Sequence, residues 1–553
     1  MDRHRQSVTY SARTPRAGRA LAARAGVLSA TVLTGFGLAS VLGGLAVTVF
    51  ALLLAAGGGE HGVPPLIYIG RVLVFTLWQA ALSTAVSLLA AVPLTRALAR
   101  QADFPGRLLL LRLCALPMVM PTIVGIFGVV AVYGGSGYLA SAAAFLGFAW
   151  QPRLYGLGGI LIAHVFFNLP LAVRLLLPAF AAVPAETWRL GAQLGMRGRD
   201  IFWIIELPLL RQQLPGIATI IFMLCFTTFA VALTLGGGPR ATTLEVAIYQ
   251  ALRFDFDLRL GALLALLQTT ICAGGAWLVW RTGRQMVLDN GAQLTACRYD
   301  GRTRPARMID LAVIAFGAVF LALPILALVQ KGLVGMAAAA PLASLVLAGL
   351  ISLGLGLAGG MTATLIGYSL ARARQHVLAS GFKRGALLLA LTGRLGLFIS
   401  PMVIGTGIFL AAAGRVDLYR VAAVGVILLS AVMALPFVLG VLEPALGIAA
   451  QRHDRLCAAL GIKGWDRFRY IDWPDLRKPI ATALALSSVI AMGDLGAIAL
   501  FGNQDMINLT LLLYNQLGAY RLEGAASTAL ILLALALAFY WTIERVVGGR
   551  ELH

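Results

Sequence analysis

The sequence predicts an all-α membrane protein of about 12 transmembrane helices, arranged as two parallel six-helix repeats. Three observations carry this expectation. Of 553 residues, 59% are hydrophobic and only 12% are charged, about half the charged share of a soluble domain. The apolar residues gather in runs of about 20 or more, the length a helix needs to cross a bilayer. Two polar segments that lie 266 residues apart, 191–211 and 457–477, read almost alike.

Mean hydropathy is +0.87, so most of the chain is suited to lipid, where unpaired backbone groups are costly and the runs should be helices. Twelve runs qualify, in 30–56, 66–95, 108–133, 155–180, 214–235, 260–280, 308–330, 342–370, 385–413, 420–442, 479–500 and 525–546. With the N-terminus inside, the cytoplasmic segments hold about 33 Lys and Arg and the outer loops about 9, the asymmetry of the positive-inside rule. Both termini are therefore expected in the cytoplasm. The net charge of +21 comes from arginines in short loops between apolar runs, so nucleic acid is not the expected partner and the lipid bilayer is.

The domain reading has four parts: a cytoplasmic arm 1–25, a first six-span half 26–282, a cytoplasmic linker 283–307 and a second six-span half 308–553. The arm is rich in Arg and Ser, and the run after it is too long for a cleaved signal peptide. Five cysteines form no C-x-x-C pair and read as small buried hydrophobes. Six scattered histidines show no metal-ligand spacing, and no metal or cofactor is expected. His164, inside an apolar run, reads as a packed, hydrogen-bonded residue.

The repeat is dense. Ten of twenty positions in 192–211 match 458–477 without a gap, and Pro170 and Pro178 align with Pro436 and Pro444. Earlier, "PTIVG" from Pro121 faces "PMVIG" from Pro401. Six spans per half is an even number, so both halves enter the membrane from the same side, with a pathway between them.

Each polar loop follows the fourth span of its half. Gly195 and Gly461 permit a sharp turn between short helices, and Pro208 and Pro474 suit the first turn of the next. Phe202 and Ile205, like Phe468 and Ile471, stand three apart and share a helical face. Arg197 and Asp200 supply polar contacts at the front of that helix, matched by Lys463 and Asp466. An apolar knob flanked by charges, kept twice at fixed spacing, suits docking into a partner that comes in two copies.

The Gly-x9-Ile-x-Leu-Pro frame resembles the coupling motif, or EAA loop, of ABC importer permeases. That resemblance implies a type I ABC importer permease fold in a bacterial inner membrane, two copies of a cytoplasmic ABC ATPase subunit on the loops, and a periplasmic substrate-binding protein. One departure is plain: the family's acid, six residues before the glycine, is replaced by Arg189 and Arg455. The chain has no G-x-x-x-x-G-K-[ST] phosphate loop, so it is expected to be no enzyme, with the ATPase on a separate chain.

The stretches Phe222–Asp257 and Gly493–Arg521 are similar to thiamine and thiamine-phosphate permeases, which implies thiamine and its phosphate esters as the small-molecule substrate. The ferric-iron branch shares the fused two-half build, so ferric iron or another small solute is the alternative; an ion-coupled secondary transporter is the alternative from another class. Asp494 is an acid inside the eleventh span, a costly placement that marks either a pathway or a structural pair. A carboxylate there suits a cationic thiazolium ring, and equally suits a backbone or hydroxyl partner. Thr228 stands at the matching position at an offset of 266. Asn168 reads as a helix-packing residue, and Arg174 and Glu443 are expected to snorkel.

Overall fold

A computed structural model describes residues 43, 46–57, 66–148, 152–282, 298–301, 303–394, 396, 399–412, 418–462, 464–502 and 506–549. The cytoplasmic arm 1–25, most of the linker and Lys463 lie outside the described residues. All regular structure among the described residues is helical.

The first half contains α1 (Ala46–Gly57), α2 (Leu66–Arg100), α3 (Arg107–Val119), α4 (Thr122–Tyr133), α5 (Tyr138–Phe145), α6 (Leu157–Ala181) and α7 (Ala185–Gln193). It continues with α8 (Gly198–Ile201), a π-helical turn at Phe202–Glu206, α9 (Leu207–Phe226), α10 (Ala230–Leu235), α11 (Leu244–Arg253) and α12 (Leu258–Thr282). The rest of the chain contains α13 (Arg304–Val334), α14 (Leu342–Ala379), α15 (Lys383–Arg394), α16 (Pro401–Ala412) and α17 (Leu418–Leu460). Then come α18 (Gly464–Arg467), a second π-helical turn at Phe468–Asp472, α19 (Trp473–Gly493), α20 (Leu495–Phe501), α21 (Leu509–Gly518) and α22 (Leu522–Gly548).

Among the described residues nine helices are long and apolar enough to cross a membrane, or ten if α19 and α20, bent by 47°, form one span. The twelve runs of the sequence differ from this for local reasons. The first is described only over Ala46–Gly57, which is too short to qualify. The ninth gives only the short α15 and α16, while the third, though broken at Pro121, still supplies a span over Thr122–Phe145. Met120 is extended (φ −71°, ψ 136°) ahead of Pro121, because a residue before proline is pushed out of the α region. Ser400 plays the same part ahead of Pro401, where its Oγ accepts hydrogen bonds from the Met402 and Val403 amides. "PTIVG" and "PMVIG" are thus the same helix break, made once in each half.

The tightest bundle of the first half is α2, α6 and α9; that of the second is α14, α17 and α19. The opening helix of each half crosses to the other. α13 lies over α4 and α2, and Thr48 of α1 lies against Gly407 of α16. Glycine makes both crossings possible: a Cβ on Gly128 of α4 would stand 2.7 Å from the Pro324 carbonyl of α13. Without water to drive helices together, such close backbone approach is what holds them.

Gly128→Val is expected to destabilise the purified protein by about 1–3 kcal/mol through overpacking. Gly216→Ala on α9, where a Cβ meets nothing within 4 Å, is expected to be neutral or stabilising. Thermal unfolding in detergent checks both.

Candidate functional site

The two polar loops are built alike. α7 ends where Gly195 takes φ +64° and the Met196 amide donates back to the Gly191 carbonyl. α17 ends where Gly461 takes φ +69° and Ile462 donates to Cys457. The turn is left-handed, which is why glycine stands there twice. The Arg197 amide donates to Asp200 Oδ2 at 2.9 Å, starting the short α8. Pro208 and Pro474 fall in the first turn of α9 and α19. The copies differ before the turn: Pro184 separates α6 from α7, whereas α17 runs unbroken past Ala450, which occupies the matching place.

Both loops pass through a π-helical turn. Each ends on a buried carboxylate, Glu206 and Asp472, at matching positions. Glu206 Oε2 accepts from Arg96 Nε at 2.6 Å, and its Oε1 accepts from Arg298 Nη2 at 2.5 Å. Asp472 pairs with Arg372 at 3.3 Å and Arg467 at 3.4 Å. Arg96 and Arg372 hold equal places, each thirty residues after the start of α2 or α14. Every loop is therefore tied by an ion pair to the second helix of its own half.

The third partner differs. In the first half it is Arg298, from the segment that leads into α13. Its guanidinium lies 4.1 Å from the Trp188 ring and bonds Asp300 Oδ2 at 2.8 Å, while Tyr299 OH donates to the Met196 carbonyl. Arg100 and Gln101 at the end of α2 bond Asp310 of α13. In the second half Arg467 lies within the loop and also pairs with Asp454. Burial disfavours each cation, but Asp300 and Glu206 outweigh it at Arg298, and Asp454 and Asp472 do so at Arg467. Both guanidinium pKa values are held above the ordinary one.

Phe202 and Ile205 do share a face, and it is the inward one. Both are half-buried, with the Arg96 guanidinium 5.2 Å from the Phe202 ring. Phe468 packs edge-on against Tyr368 of α14 at 6.0 Å, and Ile471 is half-buried beside it in the turn. Arg197, Asp200, Pro208, Asp466 and Pro474 are exposed. The large apolar side chains turned outward are Leu190, Leu194, Trp203 and Ile204 in one copy, and Leu456, Leu460 and Tyr470 in the other. Leu194 is 69% exposed and its counterpart Leu460 63%. Apolar side chains repeated at one register around two turns mark an interaction face. Sequence reasoning missed Glu206, Asp472, Arg96 and Arg372; the signal was the acid aligned two residues before each proline.

In the membrane region, Asp494 caps α20: its Oδ1 accepts from the Gly496 and Ala497 amides at 2.9 and 3.3 Å, while Oδ2 meets no donor at hydrogen-bond geometry among the described residues. Thr228 is half-buried in the matching break between α9 and α10. The helices after the two breaks, α10 and α20, end at Leu235 and Phe501, 266 residues apart. His164 Nδ1 is 2.8 Å from Ser83 Oγ, and Asn168 donates to Cys225 Sγ across α6 and α9. Glu443 does not snorkel: it is buried between Arg374 and Arg394, at 3.3 and 3.2 Å, because two arginines on neighbouring helices reach it first.

The thiamine transport system permease protein ThiP of Brucella abortus (strain 2308) is 41% identical over 526 residues, covering 93% of this chain and 94% of that protein. The chain belongs to the thiamine transport permease family. The ThiP protein of Escherichia coli (strain K12) is 42% identical over 87% of this chain and 90% of its own. That of Haemophilus influenzae is 37% identical over 85% and 87%. No family model matches the chain. The permease is thus a multi-pass membrane subunit of the thiamine ABC family.

Arg298→Met leaves two buried carboxylates short of a partner and is expected to cost about 3 kcal/mol of stability. Arg199→Met, at an exposed site in the same loop, is expected to change it by less than about 0.5 kcal/mol. Thermal unfolding of the two variants checks the difference.

Proposed function

We propose that this chain is the membrane-spanning subunit of an ABC importer that takes up thiamine and its phosphate esters. It sits in a bacterial inner membrane with both termini cytoplasmic, as two parallel six-span halves, 26–282 and 308–553, joined by the linker 283–307. The observation that carries this is similarity to thiamine permeases across nearly the whole chain. That similarity favours thiamine over ferric iron.

A periplasmic binding protein delivers the solute, and two copies of a cytoplasmic ATPase, supplied by a separate chain, grip the two loops. The turns at Gly195 and Gly461, the polar fronts at Arg197, Asp200, Lys463 and Asp466, the inward faces of Phe202, Ile205, Phe468 and Ile471, and Pro208 and Pro474 shape each handle. The outward residues Leu190, Leu194, Trp203, Ile204, Leu456, Leu460 and Tyr470 supply the apolar surface that the ATPase covers. When the ATPases close on ATP, each loop moves, and the Glu206–Arg96 and Asp472–Arg372 pairs carry the movement into α2 and α14. Repeated handles at fixed register favour this reading over an ion-coupled carrier, which needs no second chain. Asp494 and Thr228 lie on the solute pathway, at the breaks between α19 and α20 and between α9 and α10.

The test is ATP-dependent uptake of labelled thiamine into proteoliposomes holding the permease, its ATPase and its binding protein. Uptake is expected for the unaltered chain. Leu194→Asp with Leu460→Asp is expected to lower it at least about tenfold, because charges at the centre of an apolar interface remove its anchor residues. Gly461→Pro is expected to do the same, since proline cannot take a positive φ. No uptake by the unaltered chain, or full uptake by these variants, would contradict the proposal.

A further inference from the structure

Glu245 is fully buried on α11, and nothing derived above uses it. Gln268 of α12, also fully buried, donates from Nε2 to Glu245 Oε1 at 2.5 Å. Glu245 Oε2 and Gln268 Oε1 have no hydrogen-bond partner among the described residues. Buried carboxylate oxygens are rarely left this way, because the unmade bond costs the full desolvation of the group.

The second half faces this pair. α11 and α12 pack against α16, whose first residues bring Ser400 and the Met402 amide beside Glu245. α16 in turn packs against α20, which Asp494 caps with one oxygen, while the other meets no donor at hydrogen-bond geometry among the described residues. Asp494 is the other carboxylate whose charge reaches Glu245. The groups that act on them are Ser400, Gln268, Ser430 and the backbone amides of Met402, Gly496 and Ala497; none is basic.

Asp494 also stands where the halves meet. A Cβ on Gly493 would touch Pro121 of the first half, and one on Gly496 would lie 3.5 Å from Pro401 of the second. The two proline breaks therefore bracket Asp494, one on each side. Two acids contributed by opposite halves, with neutral donors and no basic group among the described residues that act on them, are balanced electrically by a cation or by protons.

We propose that Glu245 and Asp494 form one cation-binding site on the solute pathway, filled by an organic cation that also donates N–H hydrogen bonds. Glu245 with Gln268 receives the N–H donors, and Asp494, between Pro121 and Pro401, faces the delocalised positive ring. The site rests on the thiamine reading, and it recognises the thiazolium and aminopyrimidine groups that thiamine shares with its phosphate esters. Movement of α11 and α12 against α16 and α20 makes and breaks the site, because its two halves ride on the two halves of the chain.

Two measurements separate this site from the reading it rests on. Uptake of labelled thiamine by the unaltered permease with its ATPase and binding protein tests the permease reading, and its absence would overturn that reading. Equilibrium dialysis of labelled thiamine against the permease–ATPase complex, without binding protein, tests the site. Glu245→Gln keeps the shape and hydrogen bonds but removes the charge; Asp494→Asn keeps the helix cap. Each is expected to weaken binding roughly tenfold or more, as for loss of a charged hydrogen bond, and Glu245→Asp is expected to restore most of it. Unchanged binding in both charge-removing variants, or no saturable binding by the unaltered complex, would overturn the site. So would loss of folded complex in both, detected by gel filtration, since that marks the acids as structural.

Discussion

The arrangement of the permease turns on one interaction made twice: a carboxylate buried at the end of a π-helical turn, met by an arginine near the end of a long membrane helix. Glu206 meets Arg96, and Asp472 meets Arg372. A lone charge in such a position costs several kcal/mol, so neither carboxylate can leave its arginine cheaply. The loop and the second helix of each half are consequently one mechanical unit. The first unit carries a further tie, because Arg298 and Asp300 fasten the start of the second half to it. The second closes on itself through Arg467 and Asp454. The two loops are therefore tied to different helices, and the first is also tied to the segment that leads into α13.

Phe202, Ile205 and Glu206 stand three and four apart and face the spans together, leaving Trp203 and Ile204 outside. A π bulge is rare and concentrates at functional sites, and here it appears at the same register in both halves.

Much of the fold was legible because lipid leaves few choices. Long apolar runs became long helices, and the two polar loops 266 residues apart became matching turns. The span count was less legible, since "PTIVG" and "PMVIG" read as apolar sequence but act as helix breaks through the residue before each proline. At the loops, the glycine turn and the proline entry could be read directly from local backbone preference. The facing of Phe202 and Phe468 could not, because a three-residue spacing says that two side chains share a face without saying which. Arg96 and Arg372 were invisible as partners because nothing local links them to acids a hundred or more residues away. Glu245 lies in a short helix after a glycine-rich stretch, and nothing in the local sequence marks it as buried.

The most direct test is the number of thiamine molecules imported per ATP hydrolysed by the reconstituted complex carrying Arg372→Gln. Asp472 keeps Arg467 as a partner, so the loop stays folded and the outward residues stay available to the ATPase. If the ion pair transmits movement, ATP hydrolysis continues while the import ratio falls about fivefold or more, the lower end of ordinary coupling free energies. An unchanged ratio would contradict the account, because the loop would then drive the spans without its tie to α14.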